Sequence, residues 1–266
     1  LEDNTFLSSE NFTKFNVTKA NLTATVVGQN VTVKQNASFI ITVPDDFDGK
    51  VNITVDGKTY TRELINPVEI AKLLKGAKNA TVVFFDASNY NDKVIKNVLF
   101  NVEGVDPTIS VRINDTTYPD KAVCEINVTD MANGTVKVVV DGKVFNGTVK
   151  DGKALVDLTG LSGGVKEAEI RFTSTDNYTN DMNATAKFVV NKAASTVVIT
   201  NASATVIATV SENATGTVTF YVNGVEHNVT VNNGVAVWEN VLVIGNNTVV
   251  AIYNGDVNFT SSRNST

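Results

Sequence analysis

The chain has 266 residues, 42% of them apolar, and a formal net charge of −6. It has room for two or three domains with packed cores, and its mild acidity without clustered Lys and Arg excludes nucleic acid and anionic lipid as partners. No apolar run approaches the roughly 18–20 residues of a membrane helix, and the single cysteine, Cys124, rules out an internal disulfide framework and a cysteine zinc site. The chain begins at Leu1 with no signal-peptide pattern, which reads as a mature form or an excised segment.

Taken in order, residues 1–19 look like the end of a repeat whose body is absent. EDNTFLSS (Glu2 to Ser9) resembles the tail of AIYNGDVNFTSS (Ala251 to Ser262), and KFNVTK (Lys14 to Lys19) matches KFVVNK (Lys187 to Lys192). Alternation by two places Phe15 and Val17 on an apolar face, with Lys14, Asn16 and Thr18 facing water, so the segment reads as a closing or donor strand with Phe12, Phe15 and Val17 as its apolar residues.

A first sandwich is expected over 20–105. KVNITVDG alternates cleanly and turns at Asp56–Gly57, and the same hairpin returns at Asp141–Gly142 and Asn223–Gly224. Each pair supplies the positive φ that a two-residue hairpin turn needs. The intervals of 85 and 82 residues set the repeat at the size of one sandwich. NPVEIAKLLKG (Asn66 to Gly76) breaks the pattern: a capping Asn66, Pro67 at the first position and Glu69 predict two turns of helix. A second sandwich is expected over 106–192, and a third over 193–266 without its final strand. The fold class is all-β, with tandem sandwiches.

Cys124 lies in register with Ile126 and Val128 and reads as a buried thiol. Tyr90, Tyr178 and Phe259 fall at matching places in the repeat, where an aromatic ties a corner by packing or marks a ligand site. Trp238 in VAVWENV reads as core packing, with an exposed sugar-stacking role as the alternative. Asp45, Asp46 and Asp48 crowd one turn and form a weak Ca²⁺ candidate without EF-hand spacing. His227, the sole histidine, has no second ligand or nucleophile in sequence reach, and no carboxylate pair stands out for acid–base work. Catalysis is not expected, nor is any bound cofactor.

The acceptor pattern Asn-x-Ser/Thr begins at Asn11, Asn16, Asn21, Asn30, Asn36, Asn52, Asn79, Asn114, Asn127, Asn133, Asn146, Asn177, Asn183, Asn201, Asn213, Asn228, Asn246, Asn258 and Asn264, which is 19 sites, whereas the reversed pattern occurs 5 times. Alternation alone would not favour one direction, so these read as N-linked glycan acceptors on an exported surface. AIYNGDVNFTSS together with the GTVTFYVNG hairpin resembles the bacterial Ig-like repeats of surface adhesin-like proteins, abundant in Gram-positive bacteria and methanogenic archaea. The resemblance implies Ig-like sandwiches in an extracellular, non-catalytic, stalk-like or adhesive protein at the cell surface. The few cysteines and many Asn and Thr suit an archaeal source.

A spare strand in front and a missing strand behind suggest a pilus-like filament, in which residues 7–19 enter the third sandwich of the next copy by donor-strand complementation. The alternatives are a segment of a longer stalk with covalently continuous repeats, and a carbohydrate-binding module. Partners are then other copies or adjacent repeats, with a host or cell-surface glycan or protein as a further target.

Overall fold

The computed structural model describes residues 10–129 and 132–266. The chain divides into two compact units, Leu1–Val105 and Asp106–Thr266.

In the first unit the strands are β1 (Thr25–Gly28), β2 (Val31–Thr32), β3 (Ser38–Thr42), β4 (Lys50–Val55), β5 (Lys58–Glu63), β6 (Val68–Glu69), β7 (Gly76–Phe85) and β8 (Lys93–Glu103). They form a sheet ordered β1-β3-β6 and another ordered β2-β8-β7-β4-β5. Residues alternate in and out along β4, so Val51, Ile53 and Val55 join Phe39, Phe84 and Phe100 in the core between the sheets. The turn after β4 has φ of 50° at Asp56 and 74° at Gly57, as a tight hairpin requires.

The second unit holds two sandwiches with separate apolar cores. The first comprises β9 (Ile109–Ile113), β10 (Thr116–Thr117), β11 (Ala122–Val128), β12 (Gly134–Val140), β13 (Lys143–Val149), β14 (Lys153–Leu158), β15 (Gly164–Ser174) and β16 (Met182–Asn191). Its sheets, β10-β16-β15-β12-β13 and β14-β11-β9, repeat the arrangement of the first unit. The next comprises β17 (Val197–Ala202), β18 (Thr205–Val210), β19 (Thr217–Val222), β20 (Val225–Thr230), β21 (Val235–Trp238), β22 (Val249–Tyr253) and β23 (Ser262–Ser265), in sheets β17-β18-β21 and β20-β19-β22-β23. These three bodies are called sandwiches one, two and three in chain order.

The helix expected over Asn66 to Gly76 is not formed; no helix occurs among the described residues. Val68 and Ile70 are buried two residues apart, the period of a strand, and Val68 pairs with Phe39. The Asn66 amide bridges Ile41, accepting from its N–H at 3.1 Å and donating to its carbonyl at 2.9 Å. Asn66 thus continues the β3 edge instead of capping a helix, and burial of Val68 and Ile70 overrides the local helix signals.

Residues 10–19 pair with no strand, and Phe12, Phe15 and Val17 are 86%, 85% and 91% exposed. The expected strand is therefore not made within one chain; residues 7–9 of the expected donor lie outside the described residues. Cys124 is fully buried, and burial pushes its thiol up to about 11, which leaves it inert at neutral pH. Trp238 is half-buried against Phe220, and exposed His227 stacks on it at 4.8 Å.

One core position differs in chemistry between the sandwiches. Phe84 and Phe172 are fully buried at the same place in the repeat as Tyr253, whose hydroxyl, shut in near Asp256, completes no hydrogen bond. Burial, with the Asp256 charge second, pushes this phenol up to about 12. A buried hydroxyl without a partner costs about 1–3 kcal/mol. Tyr253→Phe is therefore expected to stabilise sandwich three by about 1 kcal/mol, read as a higher midpoint in urea unfolding; an unchanged or lower midpoint would contradict this account of the core.

Candidate functional site

The residues of interest are those that close each sandwich. In sandwich one, β8 runs antiparallel to β7 and brings Phe100 opposite Lys78 and Val102 opposite Gly76. In sandwich two, β16 does the same to β15, with Phe188 opposite Lys166 and Val190 opposite Gly164. All four closing side chains are buried. Each is worth about 1.5–3 kcal/mol of apolar burial, in addition to the ladder bonds of the strand that carries it. Phe-x-Val is thus the closing signature; it recurs as Phe15-Asn16-Val17, and also as Phe220-Tyr221-Val222, which is already buried in the central strand β19.

Sandwich three has the matching edge, and among the described residues no matching strand continues past Thr266. Its register sets Tyr253 against Ser262 and Val250 against Ser265, as Phe172 is set against Met182 and Glu169 against Thr185. The ladder ends where Val249 and Thr266 exchange both backbone hydrogen bonds, at 2.9 and 3.0 Å. By the same register Gly245 and Asn247 stand where Gly164 and Lys166 stand, and among the described residues no strand lies beside them. A cavity of about 240 Å³ opens there, lined by Ile199, Val206, Leu242, Asn247, Val249 and Thr266 among others. Val243 and Ile244, just before it, are 63% and 107% exposed.

The charged group at this edge changes with the strand. Lys166, 6% exposed beside Phe188, donates to Asp141 at 2.6 Å and to Ser162 at 3.0 Å, and Lys78 donates to Asp56 at 2.7 Å. In sandwich three, Asn223 donates to Asn247 at 2.8 Å, and Asn247 also bonds the backbone of Val243 on both its N–H and C=O. The shorter amide leaves open the space that the lysine stem fills beside Phe188.

Phe15 and Val17 project from a fixed stem. Ala20 donates to the Asn89 carbonyl at 2.8 Å, Asn91 donates to the Ala20 carbonyl at 2.9 Å, and Lys19 donates to the Ala87 carbonyl at 2.7 Å. The joint between sandwiches two and three is built alike: Ala193 donates to the Asn258 carbonyl at 2.8 Å, Thr260 donates to the Ala193 carbonyl at 2.9 Å, and Lys192 donates to the Asp256 carbonyl. There Phe259 meets Tyr118 edge-on at 5.5 Å, and Gly163 donates to Asn258 at 3.0 Å. A Cβ on Gly163 would fall 2.2 Å from the Val257 carbonyl oxygen, so only glycine permits this approach.

Two aspartates shape these turns, and the sequence shows them only as the acidic residue of the repeated turn element, without the amides they gather. Asp256 accepts from Thr215 N and Oγ1 and from the amides of Asn258 and Phe259, all at 2.7–2.8 Å. Asp176 accepts likewise from Asn133, Tyr178 and Thr179. The pattern corrects one expectation: Thr179, buried, holds the place of Phe259, while Tyr178 is 48% exposed and does not match Tyr90 and Phe259. An Asp fixed two residues before the first donated amide is the signal that would have shown this.

The carboxylates of PDDFDG are engaged separately, Asp46 by the Tyr90 hydroxyl at 2.6 Å and Asp48 by the Ser88 amide at 2.8 Å. Among the described residues no three His, Cys, Asp or Glu side chains are grouped to hold a metal, Asp45, Asp46 and Asp48 included. Of the glycan acceptors, Asn52, Asn133, Asn258 and Asn264 are half-buried and the others are exposed. No helix is long and apolar enough to cross a membrane among the described residues.

No protein-family model matches this chain, and no curated protein matches it in sequence. Among solved structures, a tetra-tandem repeat from the extending region of a large adhesion protein matches with a TM-score of 0.55 at 22% identity, covering 92% of this chain and 73% of that one. The fold is that of tandem Ig-like sandwiches. Weaker likenesses, which add nothing to the argument, join it to a bacterial ice-binding adhesin (TM-score 0.31, 15% identity, 93% of this chain and 97% of that one) and to the I9–I11 tandem of titin (0.29, 14%, 91% and 98%).

For Asp256, burial alone would raise the pKa, but the four hydrogen bonds it accepts outweigh burial and hold it at about 2; the same balance holds Asp176 lower still. A folded pKa below the unfolded value of about 3.9 means stability that is full above that value and is lost as pH falls toward 2. Asp256→Asn should therefore lower stability at pH 7 while leaving it almost unchanged at pH 2, measured by urea unfolding; an equal loss at both pH values would refute this reading.

Proposed function

We propose that this chain is an extracellular, non-catalytic segment of a glycosylated adhesin-like protein at the cell surface, and that its sandwiches join head to tail. In the joint, the expected donor, residues 7–19, closes sandwich three of the next copy with residues 14–19, because residues 7–13 fall by the shared register on 260–266, which already hold the start of that edge. The observation that carries this reading is the Phe-x-Val at Phe15 and Val17, which is the copy that is not buried in a sheet. Two copies of the signature are buried as closing strands, while Phe15 and Val17 stand 85% and 91% exposed on a stem held by Lys19 and Ala20. The complementary edge of sandwich three presents apolar surface and backbone with no strand beside it among the described residues, the arrangement that invites strand addition. Phe12, by the β16 register, falls with outward-facing Thr185 and is not one of the residues that fill the core. The rigid clamps at the joints suit a spacer that must hold its length, and the likeness to the extending region of an adhesion protein agrees with that role. Glycans or proteins of a neighbouring cell are the targets such a spacer would hold out.

A second reading has its own support. Phe6-x-Ser8-Ser9-x-Asn11-x-Thr13 repeats as Phe259-x-Ser261-Ser262-x-Asn264-x-Thr266, as expected of repeats covalently in series. In that case the closing strand of sandwich three follows it in the same polypeptide.

Sedimentation velocity of the purified chain separates the two. Head-to-tail addition predicts concentration-dependent oligomers that disappear in Phe15→Ser, with the thermal unfolding of the monomer unchanged because among the described residues none before Leu22 belongs to a core. A monomer at all concentrations would leave only the continuous array.

A further inference from the structure

If sandwich three takes a strand in trans, two glycan acceptors stand in its way. Asn201 pairs with Val206 in the register that pairs Ile113 with Cys124 in sandwich two. Ile113 is partly buried against the core, whereas Asn201 is exposed and lines the cavity at the open edge. Once a closing strand is seated, that position is covered as Ile113 is. The second acceptor is on the outer face: β15 and β16 set Val165 opposite Val189, and the same register sets Asn246 opposite Asn16 of the incoming strand. Directly opposed residues on one face hold their Cβ atoms about 4.5–5.5 Å apart. Asn201-Ala-Ser, Asn246-Asn-Thr and Asn16-Val-Thr are all acceptor sequences, and two oligosaccharides do not fit on directly opposed side chains.

We propose that Asn201 is a modification site at which an N-linked oligosaccharide and the closing strand exclude each other, with Asn246 and Asn16 reinforcing the exclusion, so that glycosylation decides which copies can extend. The proposal rests on the reading that the open edge accepts a strand. In the transfer, the bond from the anomeric carbon to phosphate in a polyprenyl-phosphate-linked oligosaccharide breaks. That carbon joins Nδ2 of Asn201, and the polyprenyl phosphate leaves with the displaced amide proton. Because the exclusion is mutual, a seated strand also shields Asn201 from the transferase.

The test compares the full chain made in a bacterial cytoplasm with the chain from a eukaryotic secretory host, using a fluorescent synthetic peptide of residues 10–19 as probe and mass spectrometry for occupancy. The unmodified protein binds the peptide, and the protein carrying sugar at Asn201 binds it about tenfold more weakly or not at all. Asn201→Gln with Asn246→Gln, made in the secretory host, regains binding. Sugar at Asn201 with undiminished binding overturns the proposal, as does an Asn201 that stays unmodified in the secretory host. Failure of the unmodified protein to bind the peptide overturns the strand-addition reading itself, and this inference with it.

Discussion

Every sandwich here depends on one antiparallel edge strand that supplies two things together: backbone partners for β7, β15 or β22, and an aromatic and a β-branched side chain for the core. Neither supply replaces the other. A ladder without Phe and Val leaves a hole between the sheets, and hydrophobic side chains without the ladder leave a row of amides and carbonyls beside apolar surface. Sandwiches one and two receive both from Phe100 and Val102 and from Phe188 and Val190. Sandwich three receives the ladder as far as Thr266.

The turns and joints follow from that requirement. The Asp–Gly and Asn–Gly hairpins hold the central strands in register, and the aspartates at the linker turns gather amides that would otherwise lack partners. The clamp on Ala193 holds the end of β16 to the sandwich that follows it, and Ala20 is clamped in the same way to the turn of sandwich one.

Most of this fold could be read from period and turn chemistry. Alternation along KVNITV and TVKVVV, with a positive-φ pair after each, specifies the hairpins and their core faces, and it placed Cys124 correctly beside Ile126 and Val128. Reading failed where a local signal competed with a distant one. NPVEIAKLLKG carries real helix punctuation, but pairing of Val68 with Phe39, 29 positions earlier and invisible to a local window, decides its form. Tyr178 was misplaced by one residue because aromatic identity was matched where the hydrogen bonds to Asp176 set the register. The replacement of the Lys–Asp pair by Asn247 and Asn223 has meaning only once the edge beside it is seen to be open.

Hydrogen exchange at the open edge tests the central claim most directly. Hydrogen-bonded pairs alternate along an antiparallel ladder, so a strand continuing past Thr266 would take up the amides of Asn247 and Gly245. Adding a peptide of residues 10–19 to the purified chain should slow exchange at those two amides and leave β20, on the far edge of the sheet, unchanged. Unaltered exchange at Gly245 and Asn247 under saturating peptide would contradict the account.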